Sequence, residues 1–217
     1  GNTASMATIV MQPAQSKSAP VYTPAVVPVK FISADEFIEP WYEKNIQSKI
    51  QLVIEAEAPI SLSMLTKRVV QSYGITRAGS RIQGHLNTIL RKMKLNPTTQ
   101  GDATFYWKND QTPDAFVGYR VSGDGDHRRD VRDVPVQEIA NAIYTVLYEQ
   151  VSMGQDDLLR ETANKLGYTR LGNNVLSALA MGIQYAQSQG GITTGVNGTF
   201  VLSNGGTARA EAILQSV

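Results

Sequence analysis

At 217 residues, with 42% hydrophobic and 18% charged side chains, the chain has an ordinary globular composition and enough length for one good core or two small ones. No apolar run approaches the ~18 residues of a membrane span, so no membrane contact is expected. The absence of cysteine excludes disulfides, thiolate zinc sites and cysteine nucleophiles and fits a reducing, cytoplasmic setting, and two histidines are too few for a His-rich metal centre. The formal net charge of +1 excludes nothing until it is divided by region.

The chain begins at Gly1 without the basic start and compact apolar stretch of a secretion signal, and reads as a fragment of a longer protein. Residues 1–38 are rich in Ala, Pro, Ser, Thr and Val, which predicts an extended or partly disordered linker. An edge strand built from its valines is the alternative. Ile46, Ile50, Val53 and Ile54 then mark an amphipathic helix ending near Glu57, and Pro59 breaks it. Ser61 or Ser63 suits the cap of a second helix running to Tyr73, which Gly74 closes in a left-handed conformation. Ser80 is the expected cap of a third helix with Ile82, Leu86, Ile89, Leu90 and Met93 on its core face. Turns follow at Asn96-Pro97 and Gly101-Asp102, then a strand at "ATFYW".

Phe116 to Val121 suggests a connecting strand, and Ser122 to Asp133 an exposed charged loop. A second set of helices is expected from Pro135, from about Asp156 to Leu166, and from Asn173 to about Gln189. "ITTGVNGTFVL" reads as a hairpin turning at Asn197-Gly198.

These two sets are one unit used twice. "YGITRAGSRI" and "LGYTRLGNNV" share Gly-x-Thr-Arg-x-Gly, with Gly74 and Gly167 93 positions apart. The same offset superposes Ile46 on Ile139, Ile50 on Ile143, Leu86 on Leu179 and Trp107 on Phe200 without a gap. Three helices followed by a hairpin predict a mainly α, α+β fold of two tandem winged-helix units. The expected divisions are a linker at 1–38, a basic first repeat at 39–115, a connecting strand and charged loop at 116–133, a mildly acidic second repeat at 134–203 and a C-terminal tail at 204–217.

Glu57-Ala58-Pro59-Ile60, Lys67-Arg68, Gly74, Arg77, Gly79, Ile82 and the aromatic strand Phe105 to Trp107 resemble the pattern of an uncharacterised domain at the C-terminal end of large bacterial superfamily I helicase-like proteins. Those proteins typically carry a nuclease-like domain, related to very-short-patch repair endonucleases, just upstream. Ala58 stands where the pattern usually has glycine. The resemblance spans roughly residues 42–203. It implies an accessory domain of a nucleic-acid-processing enzyme and assigns no catalytic residue.

Sites of other chemistry are not legible. No Gly-rich loop ends in Lys-Ser or Lys-Thr, so an ATPase motor is expected outside this fragment. Asp124 and Asp126 have calcium-loop spacing, but Arg129 replaces the sixth-position glycine and Pro135 the twelfth-position glutamate. "HRRD" lacks the asparagine of a kinase catalytic loop. No catalytic residue, metal site or cofactor is expected in the fragment.

Charge separates the copies. Residues 41–108 hold ten Lys or Arg against four Asp or Glu, a net of +6, whereas residues 134–201 hold three against five, a net of −2. The third helix of the first copy offers Arg81, Gln83, His85, Asn87, Thr88, Arg91 and Lys92, with Lys94 just beyond, as candidates to bond phosphates and base edges. The bland alternative is that Arg91, Lys92 and Lys94 only complement the negative end of their helix. The corresponding helix of the second copy shows Asn173, Asn174, Ser177, Gln184 and Gln187, without positive charge; its Ala178, Ala180, Gly182 and Ala186 permit close approach of a partner or of its own helices. Gly74, Arg77, Gly79, Gly167, Arg170 and Gly172 are expected to shape the joint between helices, the arginines as braces. The expected partner is DNA, duplex or single-stranded. Other domains of the same polypeptide, a second copy in a homodimer, and a small ligand held between the repeats are the alternatives.

Overall fold

The structure, a computed structural model, describes residues 18–216; the part of the expected linker at residues 1–17 lies outside them. From Ser18 to Ser33 the chain is extended but held against the body. Pro20 and Tyr22 exchange backbone hydrogen bonds of 2.8 Å with Val121, and Lys30 and Ile32 donate to the carbonyls of Ser72 and Tyr73. Tyr22 is buried with 1% exposure, so this segment is a packed strap and not a loose linker. The valine-edge alternative is met only by a single parallel bridge from Val21 to Val121. A short helix α1, Ala34–Phe37, follows under a capping box made by Ser33 and Glu36, and seats Phe37 in the core.

The first repeat consists of α2 (Glu43–Glu57), β1 (Ile60–Ser61), α3 (Leu62–Gln71), α4 (Ser80–Lys92), β2 (Asn96–Gln100) and β3 (Ala103–Trp107). The second consists of α5 (Val136–Gln150), β4 (Ser152–Met153), α6 (Gln155–Lys165), α7 (Asn173–Ser188), β5 (Ile192–Thr194) and β6 (Phe200–Leu202). Each forms a three-stranded antiparallel sheet of the same topology, β1-β3-β2 and β4-β6-β5. The fold is therefore mixed α+β, with one arrangement occurring twice. The shared helical spacing has the expected physical basis: Ile46, Ile50 and Val53, and their counterparts Ile139, Ile143 and Val146, are all buried.

Several local expectations are corrected. Gly79, not Ser80, is the N-cap of α4 and offers no side-chain cap, while Ser61 does cap α3 by accepting from the Met64 N–H at 3.1 Å. Asn96-Pro97, read as a turn, instead opens β2, which pairs with β3 along its full length, because Thr98 and Thr99 suit a pleated surface better than Asn96-Pro97 suits a turn. Phe116–Val121 forms no strand beyond the bridge at Val121. The expected tail carries a helix, α8 (Asn204–Ser216), which places Ala210 and Ile213 in the second core. The turn at Asn197-Gly198 is found, with φ of 58° and 72° at those two residues.

Gly74 and Gly167 have φ of +75° and +86°, the left-handed conformation expected after α3 and α6. A second constraint was not legible. A Cβ on Gly74 would strike the Phe31 ring, and one on Gly167 would lie 2.5 Å from the Ser122 carbonyl oxygen. Gly79 and Gly172 are ordinary extended caps with open space around them. Arg77 and Arg170 do not brace the joint: both are exposed, and neither makes a hydrogen bond or ion pair to another described residue.

The segment joining the repeats is exposed from Asp124 to Arg128 and at Asp130 and Arg132, as its charge suggests, but it is anchored by a buried arginine. Arg129 is 1% exposed and grips both carboxylate oxygens of the fully buried Glu138, at 2.8 and 3.1 Å. Arg120 bonds the same carboxylate and reaches across to the backbone oxygens of Glu57 and Pro59 at 2.7 and 2.8 Å. Both guanidiniums lie over the Tyr22 ring, whose hydroxyl donates to Glu57; Glu57 in turn accepts from Arg68 Nε at 2.9 Å. Burial alone would raise the Glu138 carboxyl, but Arg120 and Arg129 outweigh it and hold it at about 2. Strap, first repeat, connector and second repeat are thus tied through one buried ionic network. Ser61 Oγ donating to Asp133 at 2.6 Å and Gln100 Oε1 accepting from the Val136 N–H at 2.9 Å add direct links.

Candidate nucleic-acid interface

Helix α4 turns Ile82, Leu86, Ile89 and Leu90 into the core and leaves the opposite face outward, with Gly84, Thr88 and, in the last turn, Arg91 exposed along it. At 13 residues it is ~20 Å long. Its N-terminal N–H groups receive no side-chain cap, leaving partial positive charge at that end.

The eight candidate residues divide into three groups. Arg81 is paired with Asp35 at 2.6 Å, and Lys92 with Glu43 at 3.2 Å. Gln83 and Asn87 bond each other at 2.9 Å, and Gln83 also reaches Thr66 of α3, so their amides stiffen the helix flank. His85 is half-buried, edge-on to Phe37 at 5.9 Å between ring centroids. Thr88 donates back to Gly84 and accepts from Arg91. Arg91 and Lys94 remain as exposed cations that carry no ion pair among the described residues.

The +6 of the first repeat overstates its available positive charge. Arg68, Arg81, Lys92 and Lys108 all face carboxylates, the last at a loose 3.9 Å. Lys49 is buried on Ser72 and the Tyr73 ring; burial, reinforced by Lys30, lowers its ammonium to about 8. Lys44, Lys67, Arg77, Arg91 and Lys94 are left exposed without an ion pair among the described residues. Arg77 lies three residues before α4, Arg91 is in its last turn and Lys94 lies two residues beyond it, so exposed positive charge flanks the helix at both ends. Sequence reasoning missed Asp35 and Glu43 as neutralising partners, and it missed the exposed Trp41 between them.

In the second repeat, α7 exposes Asn173, Asn174, Ser177, Gln184 and Gln187. Three of its small residues pack within its own repeat: Ala186 is buried, Ala178 lies against the same core, and a Cβ on Gly182 would strike Ile139 of α5, whereas Ala180 stays half-buried. Between the repeats lies an open cleft of about 1560 Å³, lined by charges of both signs that include Lys67, Asp124, Asp126, Arg128 and Arg170. Among the described residues no cluster of three or more His, Asp or Glu side chains is arranged to hold a metal ion, and no helix is long and apolar enough to cross a membrane.

Residues 35–84 match the family described as "Protein of unknown function (DUF3320)", so over α1 to the start of α4 the chain is similar to an uncharacterised domain. Comparison with curated proteins gives no match.

Proposed function

We propose that each repeat is a winged-helix unit, and that the protein is a non-catalytic accessory module that holds DNA for a helicase- or nuclease-type enzyme of the same cytoplasmic polypeptide. The observation that carries this reading is the outer face of α4: an exposed helix with an uncapped N-terminus, Arg77 before it and Arg91 and Lys94 at its other end. The repeated order of three helices and a hairpin, with a short third strand from the segment before α3 or α6, supports the winged-helix assignment. The resemblance to a helicase-associated domain supports the wider setting.

The second repeat has no Lys or Arg on α7, hence no counterion-release term there, and is assigned to support and partner contacts. The first hairpin is engaged by α5 through Gln100, so contact is assigned to α4 and not to the wing. Three phosphate contacts, from Arg77, Arg91 and Lys94, give a log–log salt slope near −2.7 on duplex DNA, at about −0.9 per contact. Fluorescence anisotropy of a labelled duplex titrated with the whole chain at several salt concentrations tests this. Arg91→Ala and Arg77→Ala should each weaken binding and flatten the slope by ~0.9 without changing the melting temperature. No binding at low salt, or a slope indifferent to both changes, refutes the proposal.

A second reading, docking on another domain or a second copy, is favoured by the strap, where Val26, Val29 and Phe31 are 91%, 64% and 82% exposed. Charge-reversal of Arg91 would leave such docking intact.

A further inference from the structure

The chain from Asp35 to Glu43 runs along one flank of α4. Asp35 meets Arg81, Phe37 meets His85 and Glu43 meets Lys92, positions that share a helix face. Within that stretch the turn Pro40–Tyr42 holds Trp41 with 73% of its surface exposed. An indole is the largest apolar side chain, and leaving it in water forgoes its burial energy. Its neighbours along the chain are not uniformly apolar: Phe37 is buried, Ile38 and Tyr42 are half-buried, Pro40 is exposed, and Glu39, Glu43 and Lys44 are polar. Trp41 and Glu43 are two residues apart, so their Cα atoms are separated by at most ~7 Å. The backbone at Trp41 therefore lies within about one nucleotide's length of Glu43, whose carboxylate holds Lys92 in the last turn of α4, where Arg91 is also exposed.

We infer that Trp41 is a stacking platform for an unpaired base, and that the ligand of the α4 surface is single-stranded nucleic acid, or a duplex at its single-stranded tail. The inference rests on the nucleic-acid reading above and adds the class of substrate. An exposed indole, together with exposed cations such as Arg91 and Lys94 at the same end of α4, supplies the two parts by which proteins bind single strands without reading sequence, because every base offers a π-face while phosphates meet the cations. A blunt duplex keeps its bases stacked on one another and has no face to offer except at its ends.

The chain supplies its own reporter. It has two tryptophans, and Trp107 is fully buried with its indole N–H bonded to Thr98 at 2.8 Å, so Trp41 alone should respond to a ligand in solution. The whole chain is titrated with a labelled oligothymidine strand and with a blunt duplex of equal length, reading tryptophan emission and label anisotropy together. The expected result is quenching of the exposed emission by the single strand but not by the duplex. Trp41→Ala should weaken single-strand binding ~5-fold or more while leaving duplex binding within twofold, and Trp41→Phe should retain most of the affinity. Both variants should melt with the wild type, since the ring packs against little. If both nucleic acids bind but the emission is unchanged, or Trp41→Ala binds the strand as tightly as wild type, the stacking role is refuted and the α4 reading stands. An equal loss on strand and duplex also refutes stacking. If neither nucleic acid binds at low salt, the nucleic-acid reading falls and this inference with it.

Discussion

Replacing Glu138 by glutamine should be among the most damaging changes of a single functional group in the protein. Glu138 is fully buried and accepts from Arg120 and Arg129, and Arg129 is itself 1% exposed. Neutralising the carboxylate leaves two guanidiniums in the interior facing one neutral amide, and breaking a buried ion pair from one side costs about 3–5 kcal/mol. The depressed carboxyl gives a second route to the magnitude. Its folded value of about 2 against an ordinary 4.5 is roughly 2.5 pH units, or about 3 kcal/mol at 1.36 kcal/mol per unit. In urea, with a slope of a few kcal/mol per M for a chain of this size, the midpoint at pH 7 should fall by about 1 M. The same linkage fixes a pH dependence. An acid whose folded value lies below its unfolded value stabilises fully above pH 4.5, and that contribution is lost as pH falls from there toward 2. Wild type should therefore lose stability more steeply across that window than Glu138→Gln. A midpoint shift under ~0.3 M at pH 7, or equal steepness in the two proteins, would refute the account.

Removing the acids that face α4 should strengthen nucleic-acid binding. Asp35→Asn with Glu43→Gln frees Arg81 and Lys92 for two further phosphates, so the salt slope on duplex DNA should steepen by up to ~1.8; an unchanged slope in anisotropy would place both cations away from the ligand. Tyr22→Phe should cost about 1.5–3 kcal/mol, because it leaves a buried Glu57 oxygen without its donor, and thermal or urea unfolding reads it directly. A loss below ~0.5 kcal/mol would mean that the strap contributes little to the folded body.

The helices were legible because their apolar residues recur at helical spacing, and a repeated pattern at a fixed offset strengthens each copy's signal. Ile82, Leu86, Ile89 and Leu90 fell on the core side of α4 as their spacing required. What was not legible depends on partners distant in sequence. Arg129 sits in "HRRD", a run whose composition reads as solvated, and only the joint approach of Glu138, Arg120 and Tyr22 makes its burial tolerable. Arg81 and Lys92 looked available because their carboxylates lie 46 and 49 residues away. The two-residue strands β1 and β4 carry no local signal at all; β3 and β6 recruit them. Helix α8 lies in the stretch expected as a tail; its first turn holds Gly205 and Gly206, poor helix formers, yet a Cβ on Gly206 would strike the Gly191 backbone that the helix crosses.

The covered glycines bear on where one copy ends and the next begins. Phe31 lies over Gly74, and Val121 with Ser122 lies over Gly167; in each case an extended stretch ahead of the helices bonds the end of the second helix, through Ile32 to Tyr73 and through Ser122 to Leu166. The repeating unit is therefore longer than its helices and hairpin, and it opens with its own extended leader. By this criterion the stretch at Val121 and Ser122 goes with the helices that follow it. A fragment started at residue 39 or 134 would lack the lid over its own joint, whereas one started ahead of the leader would carry it. What reads as a connector between two domains is, by this measure, the first part of the second.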